Sequence, residues 1–242
     1  MKDSADKNFN TKRIWELDAF RGLFILAVVF IHVMFDLDMF GFIDLSTWPS
    51  WYHFIQEYGG ILFILISGIC ITLGTKHIKR GVIVLSAALI VTVVTYLLGD
   101  PSNYIFFGIL HLMAFCMLTY PLYRRLPTPL LFILGAVIIG VGFYFETINV
   151  ETEYLYWLGL TSPYFTAGDF FPVFPNLGFY MIGVVLGRTL YKDKKSLMPN
   201  FPYDNFIIKA FSWLGRNSLF VYLGHQPIAY GACALADYFI NL

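Results

Sequence analysis

Long apolar runs separated by short polar stretches set the pattern of this chain. Seven predominantly apolar segments cover roughly 18–38, 59–75, 81–99, 104–123, 129–147, 172–190 and 216–239. Several approach the ~20 apolar residues that an α-helix needs to cross a bilayer. The pattern predicts an all-α polytopic membrane protein with seven transmembrane helices, folded as a single domain over residues 1–242. The second span is short, and the last contains Pro227. Pro172 and Pro175 open the sixth, where proline is tolerated in a first helical turn. Between the first two spans, 46–58 carries Trp48, Trp51, Tyr52 and Phe54. Such side chains favour the headgroup level, so this piece is expected to lie along the outer interface. The longest connection, 148–171, is acidic and aromatic. The polar N-terminal stretch leads into a long apolar run without a small-residue cleavage site, which predicts a retained first span.

Composition sharpens this reading. The 242 residues are 58% hydrophobic and 13% charged, where a soluble domain carries nearer a quarter charged residues. No room is left for a separate soluble domain. Cys70, Cys116 and Cys233 each fall inside an apolar segment, with neither metal-ligand spacing nor a disulfide framework.

The formal net charge of zero conceals an asymmetry. If the N-terminus is inside, all sixteen Lys and Arg fall on the cytoplasmic face, from Lys2, Lys7, Lys12, Arg13 and Arg21 through Lys209 and Arg216. Among the acids, Asp36, Asp38, Asp44, Glu57, Asp100, Glu146, Glu151, Glu153, Asp169 and Asp237 fall on the other side. The excess of cations on one side predicts a cytoplasmic N-terminus and an extracytoplasmic C-terminus. Such a basic face suits anionic lipid or a phosphorylated cytosolic ligand. Nucleic acid is not an expected partner.

Ionisable residues inside membrane spans are functional candidates by default. Arg21 opens the first span and His32 stands eleven residues on, a rise of roughly 16 Å. Asp36 follows His32 on the same helix face, where a carboxylate would orient the imidazole as a general base. Asp18 is placed to pair with Arg21, and a guanidinium fork suits phosphate or carboxylate. Gly22 would admit a close neighbour. His111 in the fourth span and His225 in the seventh share the middle-to-outer depth with His32. Their spacing argues for a polar chamber, and no metal is expected. His53, with Glu57 at i+4, belongs to the interfacial piece, and Arg216 places a second guanidinium at the inner boundary. Ser67 and Gly68 are expected to mediate close helix packing. No lysine lies in the seventh span to anchor a retinal, and no phosphate-binding Gly-Lys-Ser/Thr loop, His-Glu-x-x-His or Gly-x-Ser-x-Gly occurs.

The first span, RIWELDAFRGLFILAVVFIHVMFDL, with GILHL at 108–112 and WLGRNSLFVYLGHQP at 213–227, resembles a known family. It is that of the small bacterial relatives of the heparan-α-glucosaminide N-acetyltransferase catalytic domain, within the transmembrane acyltransferase superfamily. The Leu-Asp-x-x-Arg-Gly stretch followed by His also looks like the Arg-x10-His motif of type-3 membrane acyltransferases. The resemblance implies acyl transfer across a bacterial plasma membrane, from cytosolic acyl-CoA, usually acetyl-CoA, to a sugar or glycan acceptor outside. Carried over to this chain, Arg21 would hold the phosphate end of CoA and His32 would be the base on the acceptor. Arg216 would add a phosphate contact, and His111 and His225 would shape the thioester chamber. In the lysosomal branch the catalytic histidine lies in the outer loop after the first span, where His53 is the counterpart here. Many superfamily members have ten or more spans; seven leave the acceptor site incomplete or completed by a homodimer. Two non-enzymatic readings compete: a seven-span transporter or receptor whose histidines form a proton path, and an accessory membrane subunit.

Overall fold

The computed structural model describes residues 14–97, 104–152 and 154–241. Lys2, Lys7, Lys12, Arg13, Asp100, Glu153 and the last two residues of the expected third span lie outside the described residues. Within them the regular structure is helical: α1 (Trp15–Met39), α2 (Ser50–Leu73), α3 (His77–Leu97), α4 (Ile109–Tyr123), α5 (Thr128–Phe145), α6 (Val173–Leu190), α7 (Phe206–Arg216) and α8 (Ser218–Ile240). Five of these, α1, α2, α3, α5 and α6, are long and apolar enough to cross a membrane. The fourth expected span is a helix of 15 residues. The seventh is a 23-residue helix, diluted by His225, Gln226, Pro227 and Asp237.

Two boundaries differ from the sequence expectation. The second helix is not short, because it begins at Ser50 and takes in most of the aromatic stretch. A 3-10 turn at Leu45–Thr47 precedes it, capped by Asp44, whose carboxylate accepts from the Ser46 N–H at 2.9 Å and its hydroxyl at 2.6 Å. These bonds hold the exposed Asp44 carboxyl below the usual carboxylate range. The Tyr52 N–H then bonds back to the Pro49 carbonyl, and nothing from Ser50 onward breaks the run. The connection before the last span also contains a helix, α7, which is too short to register as a membrane segment. Asn205 caps it by accepting from the Ile207 N–H at 2.8 Å.

The helices group into two compact units. The first comprises Met1–Phe63 with Tyr191–Leu242, and the second Ile64–Leu190. In the first unit α1 packs against both α7 and α8. The α1–α7 crossing depends on two glycines. A methyl group on Gly22 would strike the Phe211 carbonyl, and one on Gly215 would strike the Asp18 carbonyl. Small residues let helix backbones meet in this way where lipid offers no hydrophobic drive. At the N-terminal side of the crossing, Trp15 stacks on Phe201 at 5.2 Å, and buried Glu16 accepts from the Leu197 N–H at 2.7 Å. Both contacts fasten the connection before α7 to the first turn of α1.

In the second unit the same device recurs. Gly68 lies against the Tyr180 carbonyl and Gly183 against the Leu65 carbonyl, as the sequence role of Gly68 anticipates. The 148–171 connection is tied to the entry of α4: Gly168 and Phe171 donate to the carbonyls of Tyr104 and Phe107.

Gly22→Val and Gly215→Val should each lower stability by about 1–3 kcal/mol or more, as overpacked sites do. Gly140, with open space around it, should accept alanine with no loss. Thermal unfolding of the detergent-solubilised protein checks both.

Candidate functional site

Arg21, His32 and Asp36 fall within about 60° of one another around α1 at 100° per residue. That face meets α8. An Arg21 Nη2 hydrogen is donated to Ser218 Oγ at 2.9 Å. The rings of His32 and His225 stand 5.0 Å apart, tilted by 56°. Gln226 Nε2 donates to Asp36 Oδ1 at 2.9 Å. All three contacts run in the same order along both helices, so α1 and α8 are parallel where they touch. Ser218 and His225 are both buried, and Asp36 is only 1% exposed. Lipid offers such groups no partner, so these contacts are made within protein.

The seam also shortens the distance that matters. On α1 the Cα atoms of Arg21 and His32 differ by roughly 16 Å in height, but the Arg21 side chain reaches up to Ser218. Ser218 precedes His225 by seven residues, so guanidinium and imidazole pair stand about 10 Å apart along the axis.

His225 has a defined tautomer. Its Nδ1 lies 2.6 Å from the Tyr222 carbonyl oxygen, which can only accept, so Nδ1 carries the hydrogen. In a neutral ring this leaves the lone pair at Nε2, a buried atom. His32 is half-buried and therefore easier to reach than His225. Pro227 withholds the N–H that would have met the Leu223 carbonyl one turn back.

The other sequence candidates fall elsewhere. His111 lies in the second unit with both nitrogens occupied. Its Nδ1 accepts from the Gly108 N–H at 3.3 Å, so Nε2 carries the hydrogen toward Thr92 Oγ1 at 3.2 Å. Thr92 passes its own hydroxyl hydrogen to the Ile105 carbonyl at 2.6 Å. Asp169 accepts from the Ile109 N–H at 3.0 Å, a carboxylate at a helix N-terminus. This network builds the entry of α4. His53 is exposed on α2, its ring edge-on to Tyr52. Arg216 is exposed at the last residue of α7, two positions before Ser218. Asp18 lies at the α1–α7 crossing, its carbonyl facing Gly215.

Ser218 and Gln226 belong to the site, although neither stood out in the sequence. Both lie in the WLGRNSLFVYLGHQP stretch, but their partners are nearly two hundred residues away. Among the described residues no group of three or more His, Cys, Asp or Glu could hold a metal ion.

Residues 13–227 match the family described as heparan-alpha-glucosaminide N-acetyltransferase, catalytic. The chain belongs to that family. No curated protein and no solved structure matches it. The matched region contains both faces of the α1–α8 seam as far as Pro227. Membership points to a membrane acetyltransferase, and the five apolar helices agree with an integral membrane protein.

His111→Ala should lower stability by about 1–3 kcal/mol, the cost of leaving buried hydrogen-bonding groups unmet. His53→Ala, on an exposed surface, should change it by less than about 0.5 kcal/mol. Chemical denaturation of the two variants in one detergent compares them directly.

Proposed function

We propose that this protein moves an acetyl group from cytosolic acetyl-CoA to an amine or hydroxyl of an extracytoplasmic sugar or glycan. The observation that carries the reading is the α1–α8 seam, which sets a guanidinium about 10 Å below a pair of facing imidazoles. The setting is a bacterial plasma membrane crossed seven times, by α1 to α6 and α8, with α7 on the cytosolic side. The N-terminus is then inside and the C-terminus outside. This topology puts every Lys and Arg toward the cytosol, where the phosphates of CoA arrive. Although α8 is the more polar span, its Ser218, His225 and Gln226 meet α1.

Arg21 is steered by its bond to Ser218, and its guanidinium fork suits phosphate. Arg216 supplies a second cation close by in sequence. The flexible arm of CoA then runs up the seam and presents its thioester near the histidines. His32 accepts the proton from the acceptor's N–H or O–H as that nitrogen or oxygen attacks the acetyl carbonyl. The C–S bond breaks, the acetyl group stays on the acceptor, and the thiolate takes a proton to leave as free CoA. His225, held by Tyr222, fixes the wall opposite His32. A proton-positioning base of this kind contributes about 10²–10⁴-fold.

His32→Ala should therefore lower acetyl transfer by about 10²–10⁴-fold when acetyl-CoA and a panel of amino sugars are supplied to the reconstituted protein. Undiminished transfer would remove His32 from the mechanism. CoA at 100 times its dissociation constant should stabilise the wild-type protein by about 2.7 kcal/mol in a thermal-shift measurement. A transporter or accessory subunit would show no such response.

A further inference from the structure

At the outer end of the seam, Asp36 presents a problem of hydrogen-bond satisfaction. Its carboxyl is almost fully buried and meets the carboxamide of Gln226 through one bond, Nε2–H to Oδ1 at 2.9 Å. Among the described residues two neighbouring buried oxygens have no hydrogen-bond partner: Oδ2 of Asp36 and Oε1 of Gln226. Both are acceptors if Asp36 is ionised. A bare charge and two unmet acceptors in one apolar seam is an arrangement that folded proteins avoid.

A single proton resolves all three difficulties. We infer that Asp36 is a neutral carboxylic acid whose Oδ2–H is donated to Gln226 Oε1, closing a reciprocal two-bond pair between α1 and α8. The acid and the carboxamide then each donate once and accept once. The surroundings agree with a neutral group. Among the described residues no Lys or Arg forms an ion pair with Asp36. The titratable groups on the elements around it are His32 and Asp38 on its own helix, His225 and Cys233 on α8, and Tyr52 on α2, which packs on α1 through Phe30. The 3-10 turn against α1 offers only Leu45, Ser46 and Thr47, and the cations of α7, Lys209 and Arg216, are exposed.

The inference rests on the proposed acetyl transfer for its functional meaning, but not for its chemistry. It revises the part expected of Asp36. The spacing His32–Asp36 suits a carboxylate that orients and strengthens a base. A neutral acid spent on Gln226 does neither. Asp36 is instead a positioning residue: it locks the rotation of α8 at Gln226 and so turns the adjacent His225 toward His32. His32 then draws on no anionic partner from its own helix.

The full-length protein in lipid nanodiscs offers a direct test by infrared difference spectroscopy, wild type minus Asp36→Asn at neutral pH. The expected result is the carbonyl stretch of a protonated carboxylic acid, shifted in heavy water and missing from the variant. A carboxylate doublet in its place overturns the inference. Gln226→Leu provides a second spectrum should Asp36→Asn fold poorly: it removes the partner and should move the acid band, and an unmoved band counts against the pair. In the transfer assay, Asp36→Asn preserves both hydrogen bonds, so its loss should stay within about threefold, against tenfold or more for Asp36→Leu. Equal, large losses in both would mean that a carboxylate is required. If no acetyl transfer is seen in the wild type, the proposed function fails while the infrared result still decides the protonation of Asp36.

Discussion

The contact between α1 and α8 is the constraint on which the rest of this structure depends. Buried polar groups have no water to fall back on in an apolar interior, so each must find its partner in protein. Arg21, His32 and Asp36 project from one face of α1, and Ser218, His225 and Gln226 meet them from α8. Slippage of either helix by one turn would separate all three pairs together. The register is therefore set by polar contacts, while the apolar surface elsewhere on these helices is indifferent to sliding. The glycine crossing of α1 and α7 fixes the lower end of the same unit. It brings α7 in so closely that α8, which starts two residues after α7 ends, begins beside Arg21.

The two units use their histidines in opposite ways. In the second unit His111 is consumed by structure: one nitrogen accepts from Gly108 and the other serves Thr92, so the ring organises the start of α4. In the first unit the rings of His32 and His225 face one another, and Nδ1 of His225 is tied to the Tyr222 carbonyl. An imidazole with both nitrogens bound to its own fold is poorly suited to exchange protons with a substrate. This contrast, and not depth in the membrane, separates the histidines of this chain.

Much of this was readable from the sequence, but unevenly. The face formed by Arg21, His32 and Asp36 follows from helical geometry alone, because those residues share one element. The close approach at Gly22 was also readable, since a glycine in a membrane span leaves room for a backbone. The partners on α8 were not. Gln226 and Ser218 are ordinary polar residues until α1 lies against them, and a contact spanning nearly two hundred residues leaves no trace in local spacing. Helix α7 escaped because its eleven residues are too few to read as a span, though the Asn205 cap marks its start. The aromatic stretch before α2 read as an interfacial piece because Trp and Tyr favour that level, a preference that is silent on whether the backbone is already helical.

If the α1–α8 seam carries the acetyl donor between Arg21 and His32, a structure of the protein with CoA bound will show it. The phosphate end of CoA is expected at Arg21 and the thiol within reach of His32, with the arm running along the seam. Binding elsewhere would contradict it, for instance in the shallow basic depression lined by Lys76, Lys79 and Arg124 in the second unit, with the seam unchanged.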